Sequence, residues 1–278
     1  MTASAAASGM PLARANTNPA TPNAIQPARR AARKPPNALA IGLILASVLC
    51  VPAIRAQGAP PNLARLVAHR ESETEAERNQ YTYRQTLSIE QLDERGILRG
   101  QYREVRDIIF SPQQERTEEL IGKPENNLTA LQLTPEDFRD FRDIQPLVLT
   151  EDRLWNYETK SRGEESVDGV DCWVLQVRPR QILEGQRFFE GLIWAEKKEF
   201  NLVRMEGRAV PQIRSTKSEN LFPRFTTVRK PVDGKYWFPV LTVADDTLQF
   251  RNGPHRERLR ISYSNYKRFA VDSTFTPH

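Results

Sequence analysis

Three histidines, His69, His255 and His278, and two cysteines, Cys50 and Cys172, are all the imidazole and thiol the chain carries. Their settings are poor for catalysis. His69 lies in a polar, helix-forming stretch, His255 follows the turn sequence Asn252-Gly253-Pro254, and His278 is the last residue. No Ser-His-Asp arrangement and no metal-ligand set can be assembled from them. An enzymatic reading would have to draw on carboxylates, with Asp245, Asp246, Glu206 and His255 as candidate acids and bases. Adjacent residues on extended backbone point to opposite faces, so Asp245 and Asp246 cannot share one substrate, and one of them reads as a solvated turn residue. Cys172, beside Trp173 on an apolar strand, reads as packing. The Asn127-Leu128-Thr129 sequon is too common a pattern to interpret. A Gly-rich phosphate loop, a His-Glu-x-x-His pair and a paired-cysteine motif are all missing from the sequence, so neither a cofactor nor a metal is expected.

Charge narrows the possible partners. The 278 residues include 40 Lys and Arg against 35 Asp and Glu, a formal charge of +5. The excess is not spread along the chain: Arg14, Arg29, Arg30, Arg33, Lys34 and Arg55 fall within residues 1–56, which hold no acid. Without those six, 34 basic residues face 35 acidic ones, a net charge of −1. Residues 57–278 therefore lack the basic excess that phosphate neutralisation requires, and nucleic acid is not an expected partner.

The first 56 residues read as an address. A basic cluster at Arg29–Lys34 precedes an apolar run, Ala38 to Val51, then Pro52 and small residues at Ala53 and Ala56. That order is the layout of a secretory signal peptide, and it predicts export to the periplasm with a flexible start at Gln57. The alternative is an inner-membrane anchor over residues 38–54, although the run is shorter than the roughly 20 residues a spanning helix needs. Leu49 before Cys50 does not fit a lipidation signal. With Cys50 removed, Cys172 would be the one thiol left, excluding an intrachain disulfide and a Cys-only zinc site.

Beyond residue 56 the hydrophobic period stays near two, with helical exceptions. Residues 62–79 predict a helix with an apolar seam at Leu63, Leu66 and Val67 and a polar end. Tyr81, Tyr83, Leu87 and Ile89 alternate with polar residues, as on a half-buried strand. Strands follow at 98–110 and 114–121. Thr134-Pro135-Glu136-Asp137 supplies an N-cap, a first-turn proline and first-turn acids, predicting a helix over 134–144 with Phe138 and Phe141 on one face. Strands are then expected near 153–160, 170–179, 187–196, 200–210, 224–231, 235–243, 246–252 and 257–268. Most are separated by turn sequences such as Val167-Asp168-Gly169, Val232-Asp233-Gly234 and Asn252-Gly253. The fold class is mainly β (α+β): a long antiparallel meander in a single domain, 57–278. A sheet this long must curl, and two helices are few to fill its concave side.

The alternation marks one face of each strand as apolar and the other as charged. Trp173, Leu175 and Val177 oppose Cys172, Val174, Gln176 and Arg178, while Val203 and Met205 are taken to share a face. Candidate lining residues of an apolar cavity are Tyr83, Leu87, Trp173, Leu175, Val177, Met205, Phe250, Ile261 and Tyr263. Ordinary core packing is the competing reading for each. The face of Trp194 stays open, because Leu192 and Ile193 are both apolar.

The stretch Phe189-Glu190-Gly191-Leu192-Ile193-Trp194-Ala195-Glu196-Lys197-Lys198-Glu199-Phe200-Asn201-Leu202-Val203-Arg204-Met205-Glu206-Gly207, an apolar-Trp strand, an acidic turn and a Val-Arg-x-Glu strand, resembles a hairpin of the LolA/LolB-like superfamily of lipoprotein localisation factors. The ending Tyr263-Ser264-Asn265-Tyr266-Lys267-Arg268-Phe269-Ala270-Val271-Asp272-Ser273 is similar to that group's last strand. The resemblance spans about residues 62–275. It implies an unclosed β-barrel whose two helices cover an apolar concave face holding acyl chains. Carrier members have an Arg-Pro after the first hairpin that holds the lid. Here the comparable stretch is Phe110-Ser111-Pro112, and Ser111 offers no guanidinium fork.

The expectation is thus a monomeric, non-enzymatic periplasmic binding protein for lipid or lipoprotein acyl chains. An exported envelope hydrolase, or a sensing or structural module for an envelope protein partner, are the alternatives.

Overall fold

The computed structural model describes residues 58–269 except 112, 114, 144–148, 184 and 215–218, with nothing stated for the Asn220 side chain. The signal-peptide and anchor readings of residues 1–56 lie outside the described residues.

The chain enters through α1 (Leu63–Arg78) and builds β1 (Tyr81–Leu92), β2 (Leu98–Phe110), β3 (Arg116–Leu120) and the two-residue β4 (Glu125–Asn126). It then passes through α2 (Pro135–Asp143) and α3 (Glu151–Leu154). From there it runs β5 (Tyr157–Val167), β6 (Val170–Pro179), β7 (Phe188–Glu196) and β8 (Leu202–Val210). A small hairpin, β9 (Ile213–Arg214) with β10 (Glu219–Asn220), precedes β11 (Phe225–Val232), β12 (Tyr236–Phe250) and β13 (Gly253–Arg268). The main sheet has 11 strands in the order β3-β2-β1-β13-β12-β11-β8-β7-β6-β5, with β4 against β2. Its pairings are antiparallel and its two ends, β3 and β5, do not meet, so the sheet is an unclosed barrel.

The order explains where the helices lie. The chain starts in the middle of the sheet at β1 and works out to β3. It then crosses to the far edge through α2 and α3, and meanders back until β13 closes on β1. The crossing segment brings Phe138 and Phe141 onto the main apolar cluster. Thr134 caps α2 as its sequence predicts: Asp137 N donates to Thr134 Oγ1 at 3.3 Å, and Thr134 N donates to Asp137 Oδ2 at 2.6 Å.

Four local expectations fail, each for a physical reason. Residues 153–156 are not strand: Thr150 with Glu151 and Asp152 starts the helical turn α3, and β5 begins at Tyr157. Tyr236–Phe250 form one strand rather than two, with 251 and 252 in the turn that follows, because arginines of β13 pair the Asp245 carboxylate within the ladder. Val203 and Met205 point to opposite faces, since the β7–β8 ladder slips between Trp194↔Arg204 and Ala195↔Leu202. Finally, the second face is not uniformly charged: Val167, Cys172, Val174, Trp194 and Val203 form a separate small apolar cluster.

Candidate functional site

Of the nine candidate lining residues, Tyr83, Leu87, Trp173, Leu175, Val177, Met205, Ile261 and Tyr263 are buried together in one cluster, and half-buried Phe250 packs against it. Their neighbours are largely aromatic. Phe138 meets the Tyr102 ring at 5.9 Å, Phe141 meets Phe222 at 5.7 Å, and Phe222 leads to Phe225 at 6.0 Å and on to Phe189 at 6.0 Å. The concave face is thus occupied by side chains, chiefly rings from α2 and from residues 221–225. Gly191 and Gly207 face each other across the β7–β8 ladder and leave room for the Phe189 ring. A Cβ on Gly207 would come within 2.6 Å of that ring's Cζ.

Helix α1 is attached by Leu63 and Val67, which join the main apolar cluster, and by charge. Glu71 and Arg229 are each 1 % exposed, and Arg229 Nη1 donates to both Glu71 oxygens at 2.9 and 3.0 Å. Burial pushes the Glu71 carboxyl up, and Arg229 acts against that. One residue earlier, Arg70 donates to Asn201 Oδ1 at 2.8 Å, to Glu199 Oε2 at 2.9 Å and to the Lys235 carbonyl at 3.1 Å. Asn201 and Glu199 belong to the acidic turn of the β7–β8 hairpin. Glu196 organises that turn by accepting the amides of Lys198, Glu199 and Asn201. The hairpin that carries the family resemblance is therefore also the dock for α1.

Helix α2 is attached by ring edges and by the Asp140–Arg187 ion pair. Arg187 Nη2 donates to Asp140 Oδ2 at 2.6 Å, and burial raises Asp140 to about 7 although Arg187 opposes the shift. Two open clefts flank the helix, about 530 and 510 Å³ in volume, and Arg142 borders both. Tyr83 alone of the nine candidate residues borders either one. Arg78, Arg116, Arg142, Arg153 and Arg187 line the larger cleft, against two carboxylates, Glu75 and Asp143. Sequence reasoning missed this cluster because its members come from α1, β3, α2, α3 and the loop before β7.

Two of the candidate acids and bases, Glu206 and Asp245, stand in surface ion pairs, and Asp246 accepts the Arg224 and Thr247 amides. Glu206, Asp245 and Asp246 border one groove with Arg224 and Arg258. Arg224 Nε donates to Glu206 at 3.3 Å, and Arg256 and Arg258 donate to Asp245 at 2.9 and 3.2 Å. Those arginines hold the Asp245 carboxyl below its ordinary range, which suits a structural anion rather than a proton carrier. Asp245 is no turn residue, since it stands within β12. His255 pairs in register with Leu248 and its Nε2 lies 2.9 Å from Asn252 Oδ1. Burial pushes the Cys172 thiol up to about 11, an inert setting. Trp194 is on the second face, its Nε1 donating to Glu165 at 2.8 Å and Arg204 stacked at 5.1 Å. Among the described residues no cluster of three His, Cys, Asp or Glu could hold a metal ion. Nor is any described helix long and apolar enough to cross a membrane.

No protein-family model matches the chain, and no curated protein matches it. Solved structures similar to it include a DUF1329 family protein from Desulfovibrio piger, at 15% identity and TM-score 0.38 over 79% of this chain and 96% of that one. A LolA superfamily protein from Nitrosomonas europaea is similar at 14% identity and TM-score 0.30, over 74% and 97% of the two chains. The MucA/MucB complex of Pseudomonas aeruginosa is similar at 13% identity and TM-score 0.23, over 73% and 94%.

Proposed function

We propose that this protein is a non-enzymatic periplasmic binding protein that receives lipid or lipoprotein acyl chains on its concave face, with α2 as the element that yields to them. The observation that carries this reading is the pairing of a continuous apolar face with a short cover held mainly by aromatic contacts and flanked by open space. Clefts of about 500 Å³ fall within the usual size of ligand sites. Residues 57–278 then act as one monomeric domain, delivered by the signal peptide in residues 1–56. An arriving chain takes the place of Phe138 and Phe141 beside Leu87, Met205 and Ile261.

Each methylene moved out of water contributes about 0.8 kcal/mol, so about ten of them supply about 8 kcal/mol before any cost is counted. Lost translational and rotational freedom removes a large part of that. The test is titration of the purified protein with a fluorescent fatty-acyl probe. Saturable binding that an unlabelled fatty acid displaces is expected. Absence of saturable binding contradicts the reading.

A further inference from the structure

The larger cleft beside α2 combines two chemistries. Its polar border has five arginines against two carboxylates, and its other residues include Tyr83, Phe110, Tyr157 and Phe188, all members of the apolar cluster that covers the concave face. The arginines are not all satisfied. Arg142 is paired with Asp143 at 2.9 and 3.0 Å, and Arg153 lies a loose 3.7 Å from Glu75. Nε of Arg78 and both Nε and Nη1 of Arg187, by contrast, are buried with no hydrogen-bond partner among the described residues. Arg187 spends Nη2 on Asp140 and keeps Nε and Nη1 as separate, unused donors.

A buried, unpaired guanidinium nitrogen is costly, because it has left water without a replacement acceptor. Burial lowers the Arg187 pKa, consistent with a cation short of compensating charge. Guanidinium groups with spare N–H donors fit an oxyanion, which supplies several acceptors at once, as phosphate and carboxylate do. Aromatic residues bordering the same space make it amphiphilic.

We propose that the cleft bounded by Arg78 and Arg187 binds the oxyanion head group, phosphate or carboxylate, of the amphiphile whose chain the concave face receives. The inference rests on the acyl-chain reading above and adds a charge requirement to it. The neutral overall charge of residues 57–278 does not oppose it, because the arginines act locally.

The experiment compares dodecyl phosphate, dodecanoic acid, the uncharged dodecanol and inorganic phosphate as ligands of the purified full chain, by calorimetry. Wild type is set beside Arg187→Gln, Arg78→Gln and the outer-surface control Arg258→Gln. Arg78→Gln matters because it leaves the Asp140–Arg187 pair intact, so it keeps the test readable if Arg187→Gln folds poorly. The two anionic amphiphiles are expected to bind at least about 10-fold more tightly than dodecanol, a difference of about 1.4 kcal/mol. Either cleft variant should reduce that preference to less than about 3-fold while leaving dodecanol affinity and the control unchanged. Equal affinity for charged and uncharged chains overturns the head-group site and leaves the acyl-chain reading standing. Arginine-dependent binding of inorganic phosphate without binding of any chain overturns both, and points to a free anion. Binding of none of the four also overturns both.

Discussion

Helices α1 and α2 both reach the main apolar cluster, but α1 adds a fully buried ion pair and a polar network where α2 relies on rings. Helix α1 buries Leu63, Val67 and Ala68 at its start and Arg70, Glu71 and Thr74 further along, and adds the Glu71–Arg229 pair to its apolar contacts. Helix α2 presents Phe138 and Phe141 and makes one buried-side ion pair, Asp140–Arg187. The difference governs how each helix can move. Separating two buried charges by a few ångströms leaves both in a low-dielectric interior, so α1 has no cheap intermediate position. Ring contacts are weak individually and tolerate sliding, and an incoming alkyl chain can replace them in kind. A cover built like α1 fixes the fold, and one built like α2 can admit a ligand.

The sharpest way to break this comparison is to remove one charge under α1. Arg229→Met should destabilise the protein by about 3–5 kcal/mol, because Glu71 stays buried and unpaired. The Glu71→Met/Arg229→Met double variant should recover most of that loss in urea unfolding. A double variant no better than the single one would mean that the pair itself, and not its imbalance, holds α1. Phe141→Ala should cost about 3 kcal/mol in the docking of α2, at the lower end for a buried ring. It should also speed entry of the fatty-acyl probe in stopped-flow mixing, whereas Arg229→Met should not.

A pH profile gives a smaller, signed effect. Asp140 is raised to about 7 in the folded protein, above its ordinary carboxylate value near 4, so the fold holds a proton that the unfolded chain has already released. Stability is therefore expected to fall as pH rises from about 4 to about 7, and to level off above that. Glu257, raised to about 8 by burial and by Asp137 and Asp246, acts with the same sign and extends the decline to that pH. Thermal unfolding of wild type and Asp140→Asn between pH 5 and 8 checks this, with a shallower slope expected for the variant. Smallest of all is Arg258→Gln, which removes exposed pairs to Asp245 and Glu90 and should change stability by no more than about 1 kcal/mol.

What the sequence disclosed and what it hid follow the range of the interactions. Thr134-Pro135 and the alternation through β1, β6 and β13 are local signals, and the cap, the period and the fold class were legible from them. Nothing in the sequence of α1 marked Glu71 as buried and paired, because its partner, Arg229, lies 158 residues away. Asp245-Asp246 looked like a turn because Arg256 and Arg258 could not be seen across the ladder. One bulge reversed Val203, since a single extra residue flips every later side chain relative to a simple count of two. The nine concave-face residues were legible as apolar positions, while the arginine cleft, assembled from five separate elements, left no mark at any one of them.

The most direct test of the account is hydrogen exchange of the two helices with and without dodecyl phosphate. Residues 63–78 should exchange slowly in both conditions, and residues 135–143 should exchange faster without ligand and change markedly when it binds. Equal protection of the two helices, unaltered by a bound chain, would contradict the claim that α2 is the cover and α1 the fixed wall.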